Sequence, residues 1–124
     1  MSATIAGDNQ NISEAVQRIA TARNTLSAMK YVLLCESVDD VKSAKTSQRL
    51  GVLLHFEGTR CFERNLDMVE VFYKLGIRQT LLVFNNANSA GGGVMDEFDA
   101  GLTSYGRKLV EEMGRVGMLL DLSH

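Results

Sequence analysis

The side chains best suited by type to do chemistry are Glu57 and His124. Glu57 closes an apolar run, Gly51-Val52-Leu53-Leu54-His55-Phe56-Glu57, and Gly58 follows it, so the backbone can turn sharply and leave the carboxylate at a strand's end. His55, two residues earlier, projects to the same side of an extended chain. His124 ends a second run, Gly117-Met118-Leu119-Leu120-Asp121-Leu122-Ser123-His124, in the same way. A carboxylate and a neutral imidazole on neighbouring strands can converge on a divalent cation, the carboxylate bridging two ions through its two oxygens. The same residue types also suit a solvated strand end and an exposed histidine, and spacing alone leaves both readings open.

A third run, Gly76 to Phe84, leads into Asn85-Asn86-Ala87-Asn88 and on to Asp99, a connection long enough to require a purpose or a flexible insertion. Its Gly91-Gly92-Gly93 fits neither GxGxxG nor GxxxxGK[ST], so it is no phosphate loop. A loop over a substrate, with asparagine amides facing it, is the functional reading. Cys61 lacks an assembled histidine partner and reads as a structural thiol. Glu111 and Glu112 point about 100° apart on a helix and read as solvated, while Met68 and Met113 fall at core spacing.

The elements that must position these groups follow from periodicity. Ala15, Val16, Ile19, Ala22, Leu26 and Met29 recur at three and four residues and predict a helix from Ile12. Ser37 and Asp40 predict a short helix over 38–46. Asn65 and Thr103 can cap two further helices, stopped by Gly76 and Gly117. The three glycine-led apolar runs read as strands buried on both faces, which is typical of parallel sheets. Strand and helix alternate, so the fold class is α/β with right-handed crossovers, and chemistry belongs at the C-terminal strand ends. Residues 1–10 are expected to fray, and 1–124 form a single unit.

The chain has 124 residues with 45% hydrophobic side chains, enough for a core, and no proline. Thirteen Lys and Arg against fifteen Asp and Glu give a net charge of -2, which argues against nucleic acid as a partner. No apolar stretch approaches the roughly 20 residues of a membrane span. The two cysteines, Cys35 and Cys61, lack CxxC spacing and are expected to be free thiols in a reducing compartment, pointing to the cytoplasm.

In combination, Gly51-Val-Leu-Leu-His-Phe-Glu-Gly58, the stretch from Leu75 through Asn88, Gly101-Leu-Thr-Ser-Tyr-Gly106, Glu112-Met-Gly-Arg-Val-Gly117 and Asp121-Leu-Ser-His124 resemble the membrane (renal) dipeptidase family of zinc peptidases. The resemblance implies a (β/α)8 TIM barrel with two zinc ions at its C-terminal rim and a dipeptide as substrate. It implies that Glu57 bridges the zincs and His124 ligates one. It places Phe84, Asn85 and Asn88 at substrate-facing positions, although phenylalanine at 84 offers no hydrogen bond. Asp121 and Ser123 would be supports.

The family's His-x-Asp motif is absent, since neither His55 nor His124 is followed two residues later by Asp. A second histidine ligand, a carboxylate-binding arginine and a catalytic aspartate belong beyond His124 in the family pattern. Eight strands and helices need roughly 250 residues. The expectation is therefore a partial barrel of about three parallel strands, inactive in isolation, belonging to a longer enzyme or completed by other segments. The alternative is an inactive oligomerising or binding module derived from that fold. Open sheet edges and an apolar inner face predict self-association.

Overall fold

A computed structural model describes residues 1–124. Five strands alternate with four helices: β1 (Ser2–Gly7), α1 (Ile12–Ser27), β2 (Val32–Leu34), α2 (Val38–Thr46), β3 (Leu50–Glu57), α3 (Asp67–Lys74), β4 (Ile77–Leu81), α4 (Ser104–Val116) and β5 (Leu119–Asp121). A single 3-10 turn, Arg60–Phe62, lies between β3 and α3. Every strand pairing is parallel, in the order β1-β3-β4-β5, with β2 alongside residues 50–52 of β3. This is the arrangement of an open arc of a (β/α)8 barrel.

The helices start and stop where their local chemistry directs. Asn11 and Glu14 form a reciprocal capping box at the head of α1. Ser37 caps α2, whose bounds match the expected 38–46. Thr103 Oγ1 accepts from Gly106 N (2.9 Å) at the head of α4, and Gly117, at φ 85°, closes it. Asn65 differs from expectation: α3 begins at Asp67, and Asn65 Oδ1 takes only the Asp67 N–H, a turn preceding the helix. In α1 only Ala15 and Ile19 are fully buried, and Val16 lies exposed.

Two expectations about the strands need correction. Residues 1–10 do not fray, because Ser2–Gly7 form β1, paired along Leu53–Glu57 with Ile5 and Ala6 buried. The Met1 ammonium donates to the Gly51 carbonyl (2.7 Å). Small and polar residues give this segment no apolar run, and pairing with β3 makes it a strand. The second correction is the strand count, five in place of three, since β2 has only three residues and its periodicity is too short to register.

Along β3, side chains alternate between two environments. Val52, Leu54 and Phe56 face the helices, where Phe56, Phe62 and Phe72 pack edge to face with centroids 4.9–6.0 Å apart. His55 faces the opposite side. There Ser2 Oγ donates to Gln79 Oε1 (2.6 Å), and Gln79 Nε2 donates to Asp121 Oδ2 (2.7 Å). The same Asp121 oxygen lies 3.4 Å from His55 Nε2, and His55 Nδ1 lies 3.3 Å from Thr4 Oγ1. The inner face is thus polar through its middle, which corrects the expected apolar surface. A polar layer survives there because each member but His55 Nε2 finds a hydrogen-bond partner on another strand of the sheet.

Candidate active-site rim

All five strands point the same way, so β1, β3, β4 and β5 deliver their C-terminal ends to one rim. Three of those ends are locked together by Asp8, which follows β1. Asp8 Oδ1 accepts from Thr59 N (2.9 Å) and Arg60 N (3.2 Å), and Asn88 Nδ2 donates to both Asp8 oxygens (3.2 and 3.0 Å). Gly58 sits between, at φ 131°, and a β-carbon there would lie 2.4 Å from Asp8 Oδ1. Glycine is required by both conformation and space. The turn therefore holds Glu57 in place from its C-terminal side.

Glu57 lines a cavity of about 930 Å³ that also has Phe84, Asn85 and Asn88 in its wall. His124 is not part of that wall. It packs on Phe84, ring centroids 4.3 Å apart and planes tilted by 50°, so Phe84 is the contact between the cavity and the end of β5. The two asparagines differ in what they can offer. Asn88 spends its amide nitrogen on Asp8 and on the Leu82 carbonyl (2.8 Å), and its oxygen accepts from Ala90 N (2.7 Å). Asn85 engages the fold only through its backbone carbonyl, which accepts from Met95 N (2.8 Å), leaving its side chain available.

The loop after β4 is ordered by its own hydrogen bonds. Asp96 Oδ2 accepts from Ala87 N (2.9 Å) and Gly93 N (2.7 Å), and Gly91 bridges Leu102. Thr103 Oγ1 donates to the Ser89 carbonyl (2.7 Å), joining the loop to the head of α4. Residues Asn85 to Ser89 stay at the cavity.

Below the rim, Asp121 accepts from Ser123 N (2.8 Å) as well as from Gln79, and these bonds, the Ser123 hydroxyl foremost, hold its carboxyl below the usual range. The turn leading to His124 is fixed by that aspartate. His55 is buried, and burial depresses its imidazole pKa against the opposing pull of Asp121 and Glu57. It is neutral at pH 7.

Asp8 is the rim residue that sequence reasoning missed. The available signal was Gly7-Asp8 preceding a capped helix, legible only once residues 2–7 are recognised as a strand. The cysteines are buried as expected, with burial pushing the Cys61 thiol up to about 12. Glu112 forms a surface ion pair with Arg115 (2.7 Å).

The sequence pattern of the family described as Membrane dipeptidase (Peptidase family M19) matches residues 3–124. The chain belongs to that family. Among its membrane dipeptidase relatives, Dipeptidase 3 of Rattus norvegicus is 33% identical over 124 residues, covering 94% of this chain and 25% of the rat protein. An amidohydrolase from Pseudomonas aeruginosa superposes with a TM-score of 0.93 at 31% identity, over 99% of this chain and 38% of that one. A metallo peptidase from Rhodobacter sphaeroides, solved with a phosphinate mimic of the dipeptide L-Ala-D-Ala, gives 0.78 at 28% identity, over 93% and 36%. The chain spans about a quarter to somewhat over a third of the length of these relatives.

Proposed function

We propose that this chain supplies the Glu57–His124 sector of the active site of a zinc-dependent dipeptidase. The observation that carries the reading is the placing of Glu57 in one cavity wall with Phe84 and Asn85, with His124 stacked on Phe84. Membership in the dipeptidase family and the phosphinate-bound relative support it.

The donor set has the right chemistry for zinc and is incomplete in number. Glu57 offers two oxygens and His124 a ring nitrogen, but no three His, Cys, Asp or Glu side chains of this chain cluster as a metal site. Catalytic zinc takes three protein ligands, so further residues must complete the centre. When bound, two zinc ions would acidify a water towards neutrality and polarise the scissile carbonyl. Within this chain, Glu57 would be a zinc ligand, its position held by the Gly58 turn and Asp8. His124 would ligate one ion, its ring steadied against Phe84. Phe84 gives the substrate an apolar wall and no hydrogen bond, Asn85 presents a free amide, and Asn88 acts through Asp8 to keep the wall in shape.

The test is Glu57→Ala in the protein assembled with its completing segments. Zinc content and dipeptide hydrolysis are expected to fall together, with activity lost by about a hundredfold or more, the range seen when metal ligation or its support is broken. Full activity with zinc retained would overturn the assignment.

A further inference from the structure

The cavity that holds Glu57 is walled on its outer side by three guanidinium groups, Arg18 from α1 and Arg60 and Arg64 from the segment after β3. None of them forms an ion pair, whereas Arg23, Arg78 and Arg115 all do. Two are nevertheless held in place without being neutralised. Arg60 Nη1 donates to the Asp8 carbonyl (3.3 Å), and the Arg64 guanidinium lies over the Tyr105 ring, 5.6 Å from its centroid. The acids on that wall besides Glu57 are Asp8 and Glu63. Asp8 already accepts from Thr59 N, Arg60 N and the Asn88 amide, and Glu63 forms no ion pair with any of the three arginines.

Guanidinium groups on a cavity wall that form no ion pair within the chain can receive an anion from outside, because each presents forked donors suited to a carboxylate. In the family pattern a dipeptide's terminal carboxylate goes to an arginine beyond His124, so these three are surplus to that need, and 930 Å³ lies at the large end of the range for small-molecule sites. We propose that this wall is a specificity subsite selecting dipeptides with a second carboxylate, an Asp or Glu side chain, with Arg18 and Arg64 as its specificity-determining residues. The inference rests on the dipeptidase reading for the nature of the ligand, while the three guanidinium groups without an ion pair are observed independently of it.

The test compares Ala-Glu with Ala-Gln and Glu-Ala with Gln-Ala in the zinc-loaded, complete protein. An acidic arm is expected to exceed its amide counterpart in kcat/KM by about tenfold, worth one bidentate charge-assisted contact. The preference should shrink as ionic strength rises and collapse in Arg18→Gln/Arg64→Gln, while hydrolysis of Ala-Ala stays unchanged. Equal kcat/KM for acid and amide, or a preference that survives in the double variant, would overturn the subsite. If no dipeptide is cleaved, the dipeptidase reading fails by itself. Calorimetric binding of Ala-Glu against Ala-Gln to the metal-free protein at low salt then decides the subsite: tighter, arginine-dependent binding of the acid upholds it, and equal or absent binding refutes it.

Discussion

Asp8 carries more of the rim than its position near the start of the chain suggests. Its carboxylate takes two backbone N–H groups from the turn after β3 and the amide of Asn88 from the loop after β4, so one side chain ties three strand ends together. Asp8→Ala leaves those donors without partners in a half-buried place, and is expected to cost about 2–3 kcal/mol in urea unfolding, the scale of hydrogen bonds to a charged group. An unchanged midpoint would mean that water replaces the carboxylate without loss. At the same scale, Cys35 and Cys61 are both buried, and burial raises both thiols above their usual range. Neither should react with a thiol reagent at pH 8 in the folded protein, and both should react at once in denaturant.

Among the elements, α3 and α4 are joined at the surface by Glu70, which meets Lys74 (2.7 Å) within its own helix and Arg115 (2.8 Å) across the interface. Hydrogen bonds from Lys74 and Arg115 bring the Glu70 pKa down to about 2. A carboxylate whose pKa is lower in the folded than in the unfolded chain stabilises above its unfolded value, near 4.5, and that contribution fades as the pH falls towards 2. The group is solvent-exposed, so the effect is small and screened by salt. Glu70→Gln should therefore lower the thermal midpoint slightly at pH 7 and low salt, and the difference from the parent should vanish at pH 2 or in 1 M salt. A difference that persists in 1 M salt would show that Glu70 acts through packing. The cavity-lining loop is braced differently: the segment after β4 is secured by Asp96 and by Thr103, which also caps α4.

At the level of the whole molecule, the sheet ends in β1 on one side and in the three-residue β5 on the other, both with an unpaired edge. Leu119, Leu120 and Leu122 are exposed along the β5 side. Unpaired strand edges beside apolar side chains template further pairing. The 124-residue chain on its own is expected to elute from a sizing column above the position of a 13.6 kDa monomer, increasingly so with concentration. A monomer at all concentrations would show that the polar layer of Thr4, His55, Gln79 and Asp121 is enough to keep the inner face in water. The same openness bears on the proposed chemistry, because Glu57 and His124 are the only donors proposed from these strand ends, and a catalytic zinc requires more ligands than these.

The sequence by itself determined the alternation of helix and strand, the bounds of α2, the cap of α4 and the family resemblance carried by the segments around Glu57 and His124. Those features are local: capping side chains act on N–H groups two or three residues away, and near-continuous apolar runs mark strands buried on both faces. Tertiary structure decided what depends on partners distant along the chain. Ser2–Gly7 became a strand only through β3, some fifty residues on, because its small residues carry no period of their own. Asp8 acquired its role from Thr59, Arg60 and Asn88, and the inner face proved polar because Ser2, Thr4, His55, Gln79 and Asp121, from four strands, satisfy one another there. A hydrogen bond across fifty residues leaves no spacing to read, since its geometry exists only once the intervening chain has folded.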